Sequence, residues 1–237
     1  RFNPVLVGSV TMSFAGHILY VSGRYAYVGS VGGSGGMEIF DISTSSPALV
    51  SSISSGLLGC AIGGIHVSGR YAYITSQAGS VCVIDISNPS NPVKMSSISV
   101  TALSLKVIGR YLYTTTSTAL QIYDVSNSSN PVLVSASSLN TGAAALDVLG
   151  RYAYVGSPGT LQIFDISNPS SPSQVASSSV NTPNSLVVSG RYLYSAATSA
   201  NTLQVIDISN PANPMIMSTF SNAPYDILRK IFVSGRY

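Results

Sequence analysis

The chain has 237 residues, of which 11 are Lys or Arg and 8 are Asp or Glu, so only 8% are charged and the formal net charge is +3. Ordinary soluble domains carry roughly 25% charged residues. The 45% hydrophobic content argues against intrinsic disorder, and the lack of a Lys/Arg cluster argues against nucleic-acid binding.

The longest uncharged stretch lies between Asp41 and Arg70, and serines, glycines, Pro47 and His66 interrupt it. We therefore predict no membrane span. The sequence shows no signal peptide and begins at Arg1 without a Met, so we expect residues 1–237 to be a single domain cut from a longer chain. Cys60 and Cys82 are expected to be small buried thiols, although one disulfide between them stays open.

Two sequence markers recur in phase along the whole chain. The triplet Gly-Arg-Tyr occurs six times, with its arginine at Arg24, Arg70, Arg110, Arg151, Arg191 and Arg236. The motif Asp-Ile/Val-Ser occurs five times, beginning at Asp41, Asp85, Asp124, Asp165 and Asp207. The period of roughly 42 residues predicts an array of similar units.

Each unit reads as four short strands joined by turns. In the unit that begins near Ala143, we predict strands over 145–149, 152–155, 161–166 and 174–180. Gly150-Arg151 forms a tight turn, and Asn168-Pro169 starts a turn that breaks the chain because proline cannot donate to a strand ladder. No segment shows a helical period, so the predicted class is an all-β propeller of four-stranded blades.

We assign the recurring residues to the scaffold. The two tyrosines of each Tyr-x-Tyr pair share one strand face and are expected to fill the space between neighbouring blades. Each recurring aspartate is expected to accept backbone N–H bonds in the following turn. Each recurring arginine is expected to pair with that aspartate or with a neighbouring blade.

At this level the chain resembles the LVIVD repeat family. The resemblance rests on segments such as Val83-Ile84-Asp85-Ile86-Ser87-Asn88-Pro89, and on Gly-Arg-Tyr-Ala-Tyr-Val strands similar to those of YVTN-type surface-protein propellers. It covers essentially the whole chain and implies a β-propeller of a secreted or cell-surface protein. It implies no activity, because the family is defined by scaffold residues.

The spacing predicts six blades, five complete and one split across the ends of the sequence. Phe2-Asn3-Pro4-Val5-Leu6-Val7 matches an outer strand, and Ile231-Phe232-Val233 matches an inner strand. The middle hairpin of that blade is not in the sequence. Three explanations stay open: cleavage of the chain, a second molecule that supplies the hairpin, and an array of seven or more blades.

Departures from the repeat mark the candidate site. One column of the first strands varies, whereas its flanking columns are Leu or Ile and Val and are expected to be core; the varying column holds Tyr20, His66, Lys106, Asp147, Val187 and Phe232. His66, Lys106 and Asp147 could form a polar site near the axis. The alternative is a salt bridge between Lys106 and Asp147 beside a packed histidine.

The segments that lead into the first strands are the second candidate. In propellers such segments surround one mouth of the central channel, and a small polar or anionic ligand or a glycan could bind there. The polar residues at this mouth are His17, Asn184, Tyr225, Asp226 and Arg229. The alternative is ordinary loop polarity, with Asp226 paired to Arg229 or Lys230.

Catalytic and metal-binding patterns are missing from the sequence, so we predict neither an enzyme nor a cofactor. Asn127-Ser128-Ser129 is a candidate N-glycosylation site in a predicted turn. The 44 serines give outer strands that do not rely on charge for solubility. The function predicted from these features is a non-catalytic extracellular or cell-surface module for protein–protein interaction, adhesion, or filament or surface-layer assembly. The alternatives are a glycan- or small-ligand-binding propeller and, third, an enzyme.

Overall fold

The fold is known from a computed structural model, which describes residues 5–30, 36–58, 62–76, 79–140, 142–143, 145–197, 200–221 and 230–234. Twenty strands in these ranges form five antiparallel sheets of four strands, each built from strands consecutive in the sequence. This confirms the predicted all-β class and the unit of four strands.

We number the sheets as blades in chain order. Blade 1 holds β1 (Ile18–Ser22), β2 (Tyr25–Gly29), β3 (Gly36–Asp41) and β4 (Ala48–Ser54). Blade 2 follows a helical turn, α1 (Ser55–Leu58), and holds β5 (Ile62–Ser68), β6 (Tyr71–Ser76), β7 (Ser80–Asp85) and β8 (Val93–Ser99). Blade 3 holds β9 (Ser104–Ile108), β10 (Tyr111–Thr115), β11 (Ala119–Asp124) and β12 (Val132–Ser138).

Blade 4 holds β13 (Ala145–Leu149), β14 (Tyr152–Ser157), β15 (Thr160–Asp165) and β16 (Ser173–Ser179), and blade 5 holds β17 (Ser185–Ser189), β18 (Tyr192–Ala197), β19 (Thr202–Asp207) and β20 (Met215–Ser221). The blade 4 strands agree with the predicted ones to within about two residues. The helical turn α1 was not predicted, because four residues are too few to show a helical period.

The chain divides into two compact units. The first comprises residues 1–102 with 127–131, and the second comprises residues 103–126 with 132–237. Blades 1 and 2 thus belong to the first unit, and the strands of blades 3 to 5 belong to the second. That residues 1–237 form one domain stays a prediction.

The Gly-Arg turn is a two-residue hairpin, as predicted. In blade 4, Leu149 pairs with Tyr152 across it, and Gly150 has a φ of +59°. Glycine at the first turn position with positive φ is the pattern of a type II′ turn, whose twist matches that of the flanking strands. The four other blades repeat the positive φ at the same glycine.

The predicted packing of tyrosines between neighbouring blades is confirmed for one blade pair in the first unit and for one in the second. Tyr27 of blade 1 lies in the buried cluster with Ile65 and Val67 of blade 2. Tyr154 of blade 4 lies in a cluster with Leu186 and Val188 of blade 5. Since Tyr27 and Tyr154 pack with the first strand of the next blade, the core of each unit runs between sheets as well as within them.

The split sixth blade is not formed among the described residues, which corrects the predicted blade count. Neither 5–17 nor 230–234 contains a strand, and Leu6 and Phe232 are both largely exposed. The physical reason is that a strand needs neighbours to complete its backbone hydrogen bonds. The hairpin that would supply them is not in this sequence.

Candidate functional site

The recurring charges form one repeated structure in every blade. Each arginine of the Gly-Arg turn donates to the aspartate of its own blade, as in Arg70 to Asp85 and Arg191 to Asp207. The arginine also lies over the tyrosine that follows it, with Arg70 Cζ 5.2 Å from the Tyr71 ring centroid. The other aspartate oxygen accepts the backbone N–H two residues on, from Ser87 to Asp85 at 2.9 Å. The scaffold role is confirmed, and the pairing is within one blade.

These contacts stabilise the ionised aspartates. Hydrogen bonds from Arg70 and then from Ser87 lower the pKa of Asp85 to about 2. Hydrogen bonds from Ser209 and then from Arg191 lower the pKa of Asp207 to about 2. The three other recurring aspartates shift in the same direction, mainly through their arginines.

We expect the protein to lose stability in acid because of these five carboxylates. A carboxylate with a lowered folded-state pKa contributes stability above its unfolded pKa of about 3.9, and that contribution is lost as the pH falls toward the folded value. The thermal midpoint should therefore stay level from pH 7 to 5 and fall between about pH 4 and 2. Calorimetry of the wild type as a function of pH checks this, and a thermal midpoint that stays level down to pH 2 would contradict it.

A buried polar column that the sequence did not reveal runs through the third strands. Gln162 and Gln204 are buried there, and the Oε1 of Gln204 accepts the backbone N–H of Asn181 at 2.9 Å. At the same position blade 1 has Glu38, which is also buried and accepts the backbone N–H of Ser13 at 3.2 Å. Each side chain satisfies a donor in the segment that leads into its own blade.

Replacing Glu38 by glutamine should therefore be tolerated, since an amide oxygen accepts the same bond in blades 4 and 5. We expect E38Q to unfold within about 0.5 kcal/mol of the wild type. E38A should lose about 1–3 kcal/mol, because Ser13 would lose its acceptor. Urea denaturation measures both changes, and equal losses for the two variants would contradict this assignment.

The varying column of the first strands is split between the two units. In the first unit, Tyr20 and His66 have ring centroids 5.1 Å apart, and the Tyr20 hydroxyl lies 3.5 Å from His66 Nε2. In the second unit, Lys106 Nζ donates to Asp147 Oδ1 at 2.8 Å. The structure thus shows the predicted salt bridge and a histidine packed against an aromatic ring.

Asp147 is the most constrained charged residue of this column. It is buried, and besides Lys106 it accepts the backbone N–H of Val148 at 2.9 Å and that of Val188 at 2.8 Å. It lies opposite Tyr154, whose pKa burial raises to about 12. With three donors on its two oxygens, Asp147 joins blades 3, 4 and 5 and is suited to a structural role.

Among the predicted mouth residues, Asn184 lines a small cavity of about 60 Å³ in the second unit. The other lining residues are Ser104, Ala145, Leu146, Ser185, Leu186 and Lys230. His17 is exposed in the first unit, with its Nδ1 3.0 Å from the Ala15 carbonyl oxygen. Tyr225, Asp226 and Arg229 lie outside the described residues.

The described lining of the cavity offers hydroxyls, an amide and one ammonium group, and none of these described residues is a carboxylate. Such a set can hold a small anion or a polar group of a sugar. The described residues contain no group of three His, Cys, Asp or Glu side chains arranged to hold a metal ion. Asn127 is exposed in its turn, where its Oδ1 accepts the Ser129 N–H at 3.1 Å; its glycosylation stays a prediction.

Cys82 is fully buried, with its Sγ 3.5 Å from the Leu58 carbonyl, whereas Cys60 lies outside the described residues. In the described ranges, no helix has the length and apolar character needed to cross a membrane.

Two surfaces of the described residues are apolar and exposed, one on β1 and one on β20. Leu19 and Val21 of β1 were expected in the core, but they are 64% and 52% exposed. On β20, Met217 and Phe220 are 56% and 61% exposed. Both surfaces belong to a blade at an end of the described array, and no sequence signal marks them.

Five four-stranded antiparallel meanders define a β-propeller protein. Solved propellers have the same fold: a Lactobacillus plantarum protein (TM-score 0.76, 13% identity, 87% of this chain, 71% of that one) and the periplasmic gluconolactonase PpgL of Pseudomonas aeruginosa (TM-score 0.72, 18% identity, 90% and 72%). The LVIVD repeat matches residues 17–54, 61–100, 101–138, 142–182 and 183–222, so the chain belongs to the LVIVD repeat family.

The chain is shorter than the structures it resembles. It spans 66% of the computationally designed Ika8 protein, which matches 93% of this chain at 14% identity and a TM-score of 0.71. At these identities the likeness shows the fold alone. Comparison with curated proteins finds no match.

Proposed function

We propose that this chain is a non-catalytic extracellular or cell-surface repeat module that assembles through protein–protein contacts. The observation that carries the proposal is the exposed apolar face of blade 5. An exposed apolar surface on a protein with so few charged residues favours association with another protein over catalysis.

Comparison with the preceding blade shows how unusual this face is. In blade 4, Leu161 and Ile163 of the third strand are completely buried, whereas their counterparts in blade 5, Leu203 and Val205, are only partly buried. The outer strand differs in the same way, since all seven residues of β20 are exposed. The face of blade 4 that packs against blade 5 is buried. The equivalent face of blade 5 is open to solvent.

The charge distribution supports the same proposal. The five recurring arginines are already paired with aspartates of their own blades. What the outer strands present is mainly hydroxyl and apolar surface, which is compatible with packing against another protein. Extracellular or cell-surface localisation fits an uncharged, serine-rich exterior, and it is part of the proposal.

Replacing Met217 and Phe220, two of the exposed apolar residues of β20, by serine should weaken association. We expect the wild type to form oligomers or filaments as its concentration rises, and M217S/F220S to need at least about tenfold more protein to do so, since each buried apolar contact contributes about 1–3 kcal/mol. Light scattering after size exclusion, with electron microscopy, measures this.

The matched control is V132S/L133S, which removes two exposed apolar residues from the outer strand of blade 3. Its association should equal that of the wild type. A wild type that stays monomeric at every concentration would refute the assembly proposal.

The small cavity beside Asn184 favours a second candidate function, the binding of a small anion or a sugar. Lys230 would supply the charge, and Ser104 and Ser185 would supply hydroxyls. Glycan arrays and titration with acetate test this candidate. Binding that is lost in both N184A and K230A supports it, and binding unchanged in both variants rejects it. A lactonase activity is not proposed, because 18% identity to PpgL shows the fold alone.

A further inference from the structure

A groove lies between blades 1 and 2, inside the first unit, where two Gly-Arg turns come side by side. Its volume of about 480 Å³ falls in the range of roughly 300–1,000 Å³ that small-molecule sites occupy. Blade 1 contributes Ser22, Arg24 and Tyr25 to its lining, and blade 2 contributes Arg70 and Ser87. Both blades have all four strands, so the groove is formed by two complete neighbouring sheets.

The two arginines present positive charge at the groove, although each of them is paired with an aspartate. The side chains of Arg24 and Arg70 are 58% and 59% exposed, whereas those of their partners Asp41 and Asp85 are 22% and 13% exposed. None of the described lining residues is a carboxylate. Each ion pair therefore turns its guanidinium side, rather than its carboxylate side, toward the groove and the solvent.

Each guanidinium also keeps donors for a ligand. The pairs with Asp41 and Asp85 are made through the arginine Nη2, and a guanidinium carries five N–H donors on three nitrogens. Arg24 is further held over its neighbouring tyrosine, with Cζ 5.4 Å from the Tyr25 ring centroid. Because these contacts already orient the side chain, little rotamer freedom is left to be lost when it binds an anion.

The rest of the lining is apolar below and polar at the side. Tyr27 and Ile86 are buried in the core cluster of the first unit, and Tyr25 packs against that cluster. Ser22 adds a half-buried hydroxyl, which can both donate and accept a hydrogen bond. An apolar floor beside hydroxyl and guanidinium groups matches a sugar ring, which has C–H groups on its faces and hydroxyls at its edge.

Ser22 distinguishes this groove from the blade junctions of the second unit. The repeat places Ile108 of blade 3 and Leu149 of blade 4 at the same position, immediately before the Gly-Arg turn. Both side chains are exposed, so each offers a polar ligand an apolar surface in place of a hydroxyl. The arginines recur in every blade as part of the scaffold, whereas the combination with Ser22 does not recur at these two junctions.

We propose that the groove between blades 1 and 2 binds a sugar that carries a carboxylate, such as a uronic acid unit of an acidic glycan. Arg24 and Arg70 would hold the carboxylate through charge-assisted hydrogen bonds. Ser22 would bond a ring hydroxyl, and the ring would lie against the apolar floor. The site uses none of the residues of the cavity beside Asn184 or of β20, so this inference goes beyond the proposed function.

Isothermal titration of the whole 237-residue chain with glucuronic acid tests the site. We expect saturable binding that is at least about tenfold tighter than that of glucose, which lacks the carboxylate, and of acetate, which lacks the ring. The absence of saturable glucuronic acid binding would overturn the proposal. Acetate that binds as tightly as glucuronic acid would overturn the assignment to a sugar.

Two variants locate the binding, and each has a matched control in blade 5. S22I introduces the side chain that blade 3 carries at this position, so it is compatible with the fold, and R70K keeps the charge but loses the planar fork. Each should weaken glucuronic acid binding at least about tenfold. The controls S189I and R191K change the same repeat positions outside the groove, and they should bind as the wild type does. Binding that is unchanged in both S22I and R70K would overturn the proposal.

Further variants separate this inference from the proposed function. N184A and K230A, which test the small cavity of the second unit, should bind glucuronic acid as the wild type does. Loss of binding in both would assign the sugar to that cavity and overturn the present proposal. M217S/F220S should also bind normally, so a failure of the assembly proposal and a failure of this site are observed independently.

Discussion

Replacing Asp147 by alanine is expected to lower the free energy of unfolding by about 3 kcal/mol. The change removes the buried acceptor of three donors, Lys106 Nζ and the backbone N–H groups of Val148 and Val188. The Val188 N–H belongs to the next blade, so its loss weakens the contact between blades 4 and 5. Urea denaturation followed by circular dichroism measures the change.

The matched control is D85A, which removes the acid of an ion pair whose arginine side chain is 59% exposed. That loss should stay near or below about 1 kcal/mol, because solvent screens an exposed pair. Equal losses for D147A and D85A would show that Asp147 has no special role between the blades.

Replacing Phe164 by alanine is expected to cost about 3–5 kcal/mol. Phe164 lies in β15, is one of the largest fully buried side chains, and belongs to the cluster that contains Tyr113 of the preceding blade. Its removal leaves a cavity where blades 3 and 4 meet, and the rigid sheets cannot close it completely. Chemical denaturation gives the free energy.

The control for Phe164 is Phe220, a phenylalanine of β20 that is mostly exposed. F220A should change the unfolding free energy of the monomer by no more than about 0.5 kcal/mol. The two variants lose the same atoms, so a difference between them reports burial alone. A small loss for F164A would contradict the packing described for blades 3 and 4.

Much of the fold could be predicted because the determining contacts are local and repeated. Gly150 and Arg151 set a hairpin, Arg151 reaches Asp165 across one sheet, and Tyr154 fills the space beside the next blade. Each of these contacts recurs in several blades, so a wrong structural assignment in one repeat can be corrected from the other repeats.

The exposed surfaces could not be predicted because exposure depends on a neighbour rather than on the residue itself. Val21 and Val67 occupy the same position of the repeat, yet only Val67 has a preceding blade to cover it. Met217 and Val175 also occupy one position of the repeat. Val175 is partly buried against the cluster that blade 4 shares with blade 5, whereas Met217 is exposed because no described blade follows blade 5. A pattern of apolar residues shows that a face is fit for burial, and it does not show what covers that face.

The candidate site was predictable only where two residues belong to adjacent blades. Lys106 and Asp147 follow one another in the varying column and form one of the two arrangements that the sequence left open. Glu38 was missed, since a single glutamate among glutamines gives no catalytic pattern. Its role appears only when the backbone N–H of Ser13 is placed beside it.

The most direct test of assembly through blade 5 is oxidative footprinting of the methionines at low and high protein concentration. Met217 is the reporter, and Met37, which is fully buried, is the internal control. Met215 should stay reactive at both concentrations. Val132 occupies the same position in blade 3, and it is exposed even though blade 4 follows that blade, so a neighbouring blade does not cover this position. We predict that Met217 becomes protected as the concentration rises while Met215 does not. Oxidation of Met217 at the same rate at every concentration would contradict the proposal.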